Sequence, residues 1–108
     1  MSDYAPPIAD MRFAATKLAG FSEIAAMSAD DLNEELLASI FEEGGKFAAG
    51  VLAPLNRVGD RQGSKLVNGA VKTPDGWRDA YQRFVEGGWN AVPFDPEFGG
   101  QGLPWLVA

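Results

Sequence analysis

The chain has 108 residues, enough for one domain at most, and its 46% hydrophobic and 22% charged content excludes the disordered class. Fifteen carboxylates against nine Lys and Arg give a net charge of −6; such a surface repels phosphate backbones, and no helical face gathers Lys and Arg for an anionic membrane. Cysteine and histidine are absent, which removes disulfides, thiolate nucleophiles, Ser–His and Cys–His pairs, and thiolate or imidazole zinc sites together.

The N-terminus, Met1-Ser2-Asp3-Tyr4-Ala5-Pro6-Pro7, carries an early acid and two prolines with no apolar run after them. That is not the layout of a secretory signal, and no stretch approaches the roughly 18 apolar residues of a transmembrane helix. A soluble, cytoplasmic protein is expected, with neither nucleic acid nor membrane as partner.

Residues 1–8 read as extended, because Pro6 and Pro7 restrict their own backbones and those before them. Asp10 is placed to cap a short helix reaching about Ala19, with Met11, Ala14, Ala15 and Leu18 on one face and Gly20 ending it. The strongest local signal starts at Ser28, an N-cap residue with Asp31 three positions on and a Met27–Leu32 staple around it. Asp30 and Asp31 suit the positive end of that helix's dipole. Leu32, Leu36, Ile40, Phe47, Val51 and Leu55 recur at three- and four-residue steps, beside a second row of Leu37, Phe41, Ala48 and Leu52. This predicts one long helix over 28–55 with a wide apolar face. Gly44-Gly45 in its middle is either a tolerated weak point or a place where another helix approaches closely.

Residues 56–64 read as a polar loop. Lys65-Leu66-Val67, Asn68-Gly69 and Ala70-Val71-Lys72 have the pattern of a two-residue hairpin, which needs helices to pack on. Thr73-Pro74-Asp75 reads as the cap and first turn of a helix running to Glu86, with Trp77, Ala80, Tyr81, Phe84 and Val85 on one face and Gly87-Gly88 at its end. A Pro- and Gly-rich loop follows from Trp89 to Gly102. Pro104 is placed to open a helix, and the sequence stops within the apolar run Trp105-Leu106-Val107-Ala108. Termini are usually polar, so this pattern predicts a piece of something longer. The expected organisation is an extended peptide and short helix over 1–27, then the start of a helical domain over 28–108.

Chemistry-bearing groups are sparse. Phe98-Gly99-Gly100-Gln101-Gly102 could cradle a phosphate, but the segment before it is broken by Pro93 and Pro96 and no Gly-Lys-Ser/Thr follows, so a tight turn is the better reading. Asp30, Asp31, Glu34, Glu35, Glu42 and Glu43 fall largely on the solvated side of the long helix. Asp95 and Glu97 are two carboxylates without a third ligand, too few for a metal site. Trp77, Tyr81, Phe84 and Trp89 have the spacing of core aromatics. No residue is assigned a catalytic, cofactor-binding or metal role.

Two segments carry a family resemblance. Tyr4-Ala5-Pro6-Pro7-Ile8-Ala9-Asp10-Met11-Arg12-Phe13 resembles the opening peptide of the long-chain-length branch of the acyl-CoA dehydrogenases, a branch that includes 3-methylmercaptopropionyl-CoA dehydrogenases. Phe84-Val85-Glu86-Gly87-Gly88-Trp89-Asn90, continuing through Pro96-Glu97-Phe98-Gly99-Gly100-Gln101-Gly102-Leu103-Pro104, resembles that family's Gly-Trp element and glycine loop. Asn68-Gly69 to Trp77 fits as the hairpin that leads into the aromatic helix. The resemblance implies a mostly α fold, the helical N-terminal domain of an acyl-CoA dehydrogenase with one small β-hairpin. It also implies a homo-oligomeric parent enzyme in which a glutamate takes the α-proton of an acyl-CoA thioester and FAD takes the β-hydride. Electron-transferring flavoprotein would be the redox partner. The FAD-binding sequences and catalytic glutamate of that family lie beyond Ala108. Phe98–Pro104 would lead into a helix lining the acyl pocket, with Trp105, Leu106 and Val107 in a helix buried between the helical and flavin domains. Asp10 and Arg12 are expected to dock the N-terminal peptide. The alternative is a free-standing helical interaction domain without chemistry.

Overall fold

In the computed structural model, residues 3–28 and 31–108 are described. The expected dipole role of Asp30 lies outside them. The organising element is a rod of three helical pieces in unbroken succession: α3 (Glu34–Phe47), a π-helical turn (Ala48–Leu52) and α4 (Ala53–Gln62). At 1.5 Å per residue the rod is about 43 Å long. Before it come α1 (Ile8–Phe13), a second π turn (Ala14–Leu18) and α2 (Phe21–Ala26). After it come β1 (Lys65–Val67), β2 (Ala70–Lys72) and α5 (Trp77–Glu86), then short 3₁₀ turns at Trp89–Ala91 and Pro96–Phe98. The mostly α class with a single hairpin, expected from the sequence, is what the chain forms.

Both ends of the long helix differ from the sequence expectation. Its cap is Asn33, not Ser28. Asn33 is extended (φ −137°, ψ 173°) and its Oδ1 accepts the Leu36 N–H at 2.8 Å. Ser28 is already committed to the preceding helix, its N–H donating to the Ala25 carbonyl at 3.1 Å, and Met27 is exposed rather than stapled to Leu32. Replacing Asn33 by alanine should lower stability by about 1 kcal/mol, whereas aspartate should hold it within a few tenths. Urea denaturation of the two variants checks this.

At the other end the helix runs seven residues past Leu55, through most of what reads as a polar loop. Gly59 is there for space, not for a turn: a Cβ on it would stand 2.5 Å from the Trp77 ring. The helix stops at Gly63, whose φ of 64° suits glycine. Gln62 fastens that end to the chain ahead of α5, accepting the Asp75 N–H at 2.8 Å and donating to Asp75 Oδ2 at 3.1 Å. Pro54 explains the π turn. Proline has no N–H and crowds the carbonyl four residues back, here Gly50, and the wider π turn lies over that residue.

Three further expectations need correction. Asp10 does not cap α1, which starts two residues earlier after Pro7 without a side-chain cap. Thr73-Pro74 does not open α5. Gly76, at φ 83°, separates Pro74 from Trp77, and the helix starts after it. The hairpin forms in the expected register, Lys65 opposite Lys72 and Val67 opposite Ala70, with Asn68 and Gly69 at φ 51° and 78° as a two-residue turn demands. Yet all six strand residues are exposed, so the hairpin projects from the helices instead of lying on them.

The core sits at one end. Ala15, Phe21, Leu32, Leu37, Phe41, Val92 and Val107 are buried together, with Ile8, Ile40, Trp89, Leu103 and Leu106 around them. This ties the N-terminal helices, α3 and the C-terminal loop into one body. Near α4, the hairpin and α5, Pro74 and Ala80 are the buried residues among those described.

Candidate functional site

Two apolar hollows lie along the rod. The larger, about 470 Å³, is bounded by Pro6 and Ile8 of the N-terminal peptide, Ile40 and Phe41 of α3, Trp89 and Val107. It exists because Gly44 and Gly45 keep the helix surface low. A Cβ on Gly45 would stand 2.9 Å from Pro6 Cγ and 3.0 Å from Ile8 Cδ1, and one on Gly44 would meet the Trp89 ring at 3.5 Å. The glycine pair is therefore a site of close approach. Pro6 and Ile8 seat the N-terminal peptide there. Asp10 and Arg12, expected to do so, are exposed and have no side-chain hydrogen bond or ion pair among the described residues.

The second hollow, about 400 Å³, lies between α4 with its π turn and α5, lined by Leu52, Leu55, Asn56, Trp77, Tyr81 and Phe84. The aromatic residues of α5 were expected to be core. Phe84 is partly so, with its ring 6.1 Å from Phe47 and 6.5 Å from Tyr81. Trp77 and Tyr81 are instead 43% and 64% exposed, because no further layer covers that side of α5. Sequence reasoning missed this cleft. The signal was there: Leu52 and Leu55 face an aromatic stripe at helical spacing.

The glycine loop has its backbone donors committed. Gly99 N–H goes to Pro96 O at 3.1 Å, Gly100 to Asp95 O at 3.0 Å, Gln101 to Ala91 O at 2.9 Å, Gly102 to Phe94 O at 2.9 Å and Leu103 to Val92 O at 3.0 Å. A phosphate cradle needs those N–H groups pointing at the ligand. This loop is a folded turn, closed further by Gln101 Nε2 donating to Gly88 O at 2.8 Å. Asp95 has a local task as well, its Oδ1 accepting the Glu97 N–H at 2.8 Å as cap of the 3₁₀ turn. Trp105 is exposed and meets Phe94 edge-on at 5.7 Å, while Val107 turns back into the core.

The electrostatics are plain. Lys46 and Glu43 pair at 2.6 Å on the outer face of α3, and that hydrogen bond, with the Glu43 charge, holds the Lys46 ammonium above its usual 10.5. The pair is fully in water. Its small stabilisation is present below that value and is lost as pH rises past the raised one. Glu43→Gln should therefore leave the thermal midpoint at neutral pH unchanged within error, as a melting curve would show. FAD carries a diphosphate, which needs cationic or N–H donors. The larger hollow has no Lys or Arg in its lining, and the cleft offers only Asn56, Tyr81 and Trp77 as polar tips. The linings of these two hollows do not fit that diphosphate. No helix among the described residues is long and apolar enough to cross a membrane.

No family model matches the chain. The 3-methylmercaptopropionyl-CoA dehydrogenase of Ruegeria pomeroyi (strain ATCC 700808 / DSM 15171 / DSS-3) is 34% identical to it over 105 residues, 96% of this chain but 18% of that protein. The chain thus spans less than a fifth of the relative's length. Its helical architecture, with one hairpin among the described residues, is consistent with the helical domain that the terminal motifs implied, and over nearly its whole length the chain is similar in sequence to part of that dehydrogenase.

Proposed function

We propose that these 108 residues serve as the N-terminal helical part of an FAD-dependent acyl-CoA dehydrogenase, which desaturates the α–β bond of an acyl-CoA thioester. The supporting observation is the 34% identity that extends over 96% of the chain. The role of the segment itself is architectural. It holds the N-terminal peptide on α3, folds the glycine loop into a rigid turn, and presents two apolar hollows to whatever packs beside it. The catalytic base and the flavin belong to other parts of the parent protein, which passes its electrons to an electron-transferring flavoprotein and is cytoplasmic and oligomeric.

Expression of the whole reading frame tests this. The expected product is yellow, shows a flavin absorption band, and bleaches when 3-methylmercaptopropionyl-CoA or another acyl-CoA is added without an acceptor. The 108-residue chain by itself should emerge colourless from gel filtration in the presence of FAD. A full-length product without flavin would favour the helical interaction domain instead. A flavin band retained by the short chain would overturn the placement of the cofactor outside it.

A further inference from the structure

The turn between β1 and β2 joins two residues that can react with each other, Asn68 and Gly69. The side-chain carbonyl carbon of an asparagine lies within reach of the backbone nitrogen that follows it, and a glycine there has no Cβ to obstruct the attack. The other asparagines precede larger residues: Asn33 stands before Glu34, Asn56 before Arg57 and Asn90 before Ala91. Asn68 has no side-chain hydrogen bond among the described residues. Asp75 also precedes a glycine, Gly76, but Gln62 holds it, donating to Asp75 Oδ2 at 3.1 Å and accepting its N–H at 2.8 Å. An ionised carboxylate is, besides, a poor electrophile. Of the two pairs, Asn68-Gly69 is the reactive one.

While it is closed, the turn restrains the reaction. Asn68 at φ 51° and Gly69 at φ 78° are the two left-handed residues of a type I′ turn. Closing a five-membered ring between them requires the backbone to rotate out of that conformation. The strands that hold it are short, pairing only Lys65 with Lys72, Leu66 with Val71 and Val67 with Ala70. So small a two-stranded hairpin is marginal on its own, and it opens locally while the rest of the fold stays intact.

We propose that Asn68 is a site of spontaneous deamidation, with the chain supplying its own nucleophile. In the open turn the Gly69 nitrogen loses its proton to solvent hydroxide and bonds to Asn68 Cγ. The bond from Cγ to the side-chain nitrogen breaks, and that nitrogen takes up protons from water and leaves as ammonia. Water then opens the cyclic imide. Addition at Cγ gives aspartate on an unchanged backbone; addition at the Asn68 main-chain carbonyl gives isoaspartate, whose main chain runs through Cβ and Cγ. Both products carry one more negative charge, and nothing is oxidised or reduced. The isoaspartyl link lengthens the chain inside a two-residue turn, so the Lys65–Lys72 register cannot form again. Opening thereby becomes permanent. The reacting groups are neighbours in the chain, so the site requires an opening turn and water, not a free face. It does not depend on the dehydrogenase reading.

The test is to age the protein, expressed from its whole reading frame, in neutral and mildly alkaline buffer and in parallel in urea. Trypsin, cutting after Lys65 and Lys72, releases residues 66–72. Chromatography with mass spectrometry then counts the asparagine, aspartate and isoaspartate forms of that peptide, and a sample digested at time zero corrects for conversion during digestion. Both acidic forms should accumulate in the folded protein, isoaspartate in excess, several-fold faster than any change at Asn33, Asn56 or Asn90. The rate should rise with pH, because the attacking nitrogen must lose its proton, and rise again in urea, where the turn is always open. Gly69→Ala should slow conversion several-fold in urea, a comparison in which folding plays no part. An Asn68 that stays intact in the folded protein while converting in urea would overturn the proposal. So would equal conversion at the other asparagines, or aspartate formed without isoaspartate.

Discussion

Leu37→Ala is expected to remove about 3–5 kcal/mol of stability, the upper part of the range for a buried leucine. Leu37 is fully buried, with 0% of its surface exposed, at the middle of the cluster that joins Phe21, Phe41 and Val92. Those neighbours come from three separate stretches of chain, and a rod helix with one body packed on it cannot easily shift to fill the gap. Since a domain has only about 5–15 kcal/mol in all, the variant should be largely unfolded at mild denaturant concentrations. The check is a urea midpoint together with the near-ultraviolet signal of Trp89, which borders the same core. Leu36→Ala, one position earlier and partly out in solvent, should cost far less in the same assay.

The second large effect is expected at Gly100. A Cβ built there would land on the Phe94 backbone carbonyl, the group that accepts the Gly102 N–H at 2.9 Å. The clash is with backbone, so no rotamer change relieves it. Gly100→Ala must open the loop, breaking its run of backbone hydrogen bonds and loosening Val92, Leu103 and Val107 from the core. Overpacking of this kind costs about 1–3 kcal/mol and more where backbone must move; the higher end is expected. Gly99→Ala is the control. Nothing lies within 4 Å of a Cβ there, and its left-handed φ of 87° costs an alanine about 1–2 kcal/mol. Hydrogen exchange of the 91–103 amides should separate the two: general loss of protection for Gly100→Ala, and local loss near the Pro96–Phe98 turn for Gly99→Ala.

Some of this molecule is legible from short stretches of sequence. Asn68-Gly69 determines the hairpin and its register, because both turn positions need φ above zero and few residue pairs tolerate that. Gly20 and Gly88, at φ 70° and 77°, break the helical path for a similar reason. The run of Leu, Ile and Phe from Leu36 to Leu55 determines a helix, and the order of the terminal motifs carries the resemblance to acyl-CoA dehydrogenases. These are local or linear properties, set by backbone sterics and residue spacing.

What failed were judgements about competition and cover. Ser28 has a good capping side chain, but α2 reaches it first and its N–H is taken, so Asn33 caps instead. Residues 56–62 look like a loop by composition. They stay helical because Trp77 packs on Gly59 and Gln62 binds Asp75, partners that are 18 and 13 positions away. The aromatic stripe of α5 correctly marks an apolar face, but spacing cannot say whether another layer arrives to bury it. The sequence by itself determined where the chain turns and which faces are apolar. Only the tertiary structure decided which of those faces are covered, since burial depends on how many layers the chain can wrap around one rod, and this chain wraps one end of it and leaves Trp77 and Tyr81 in the open.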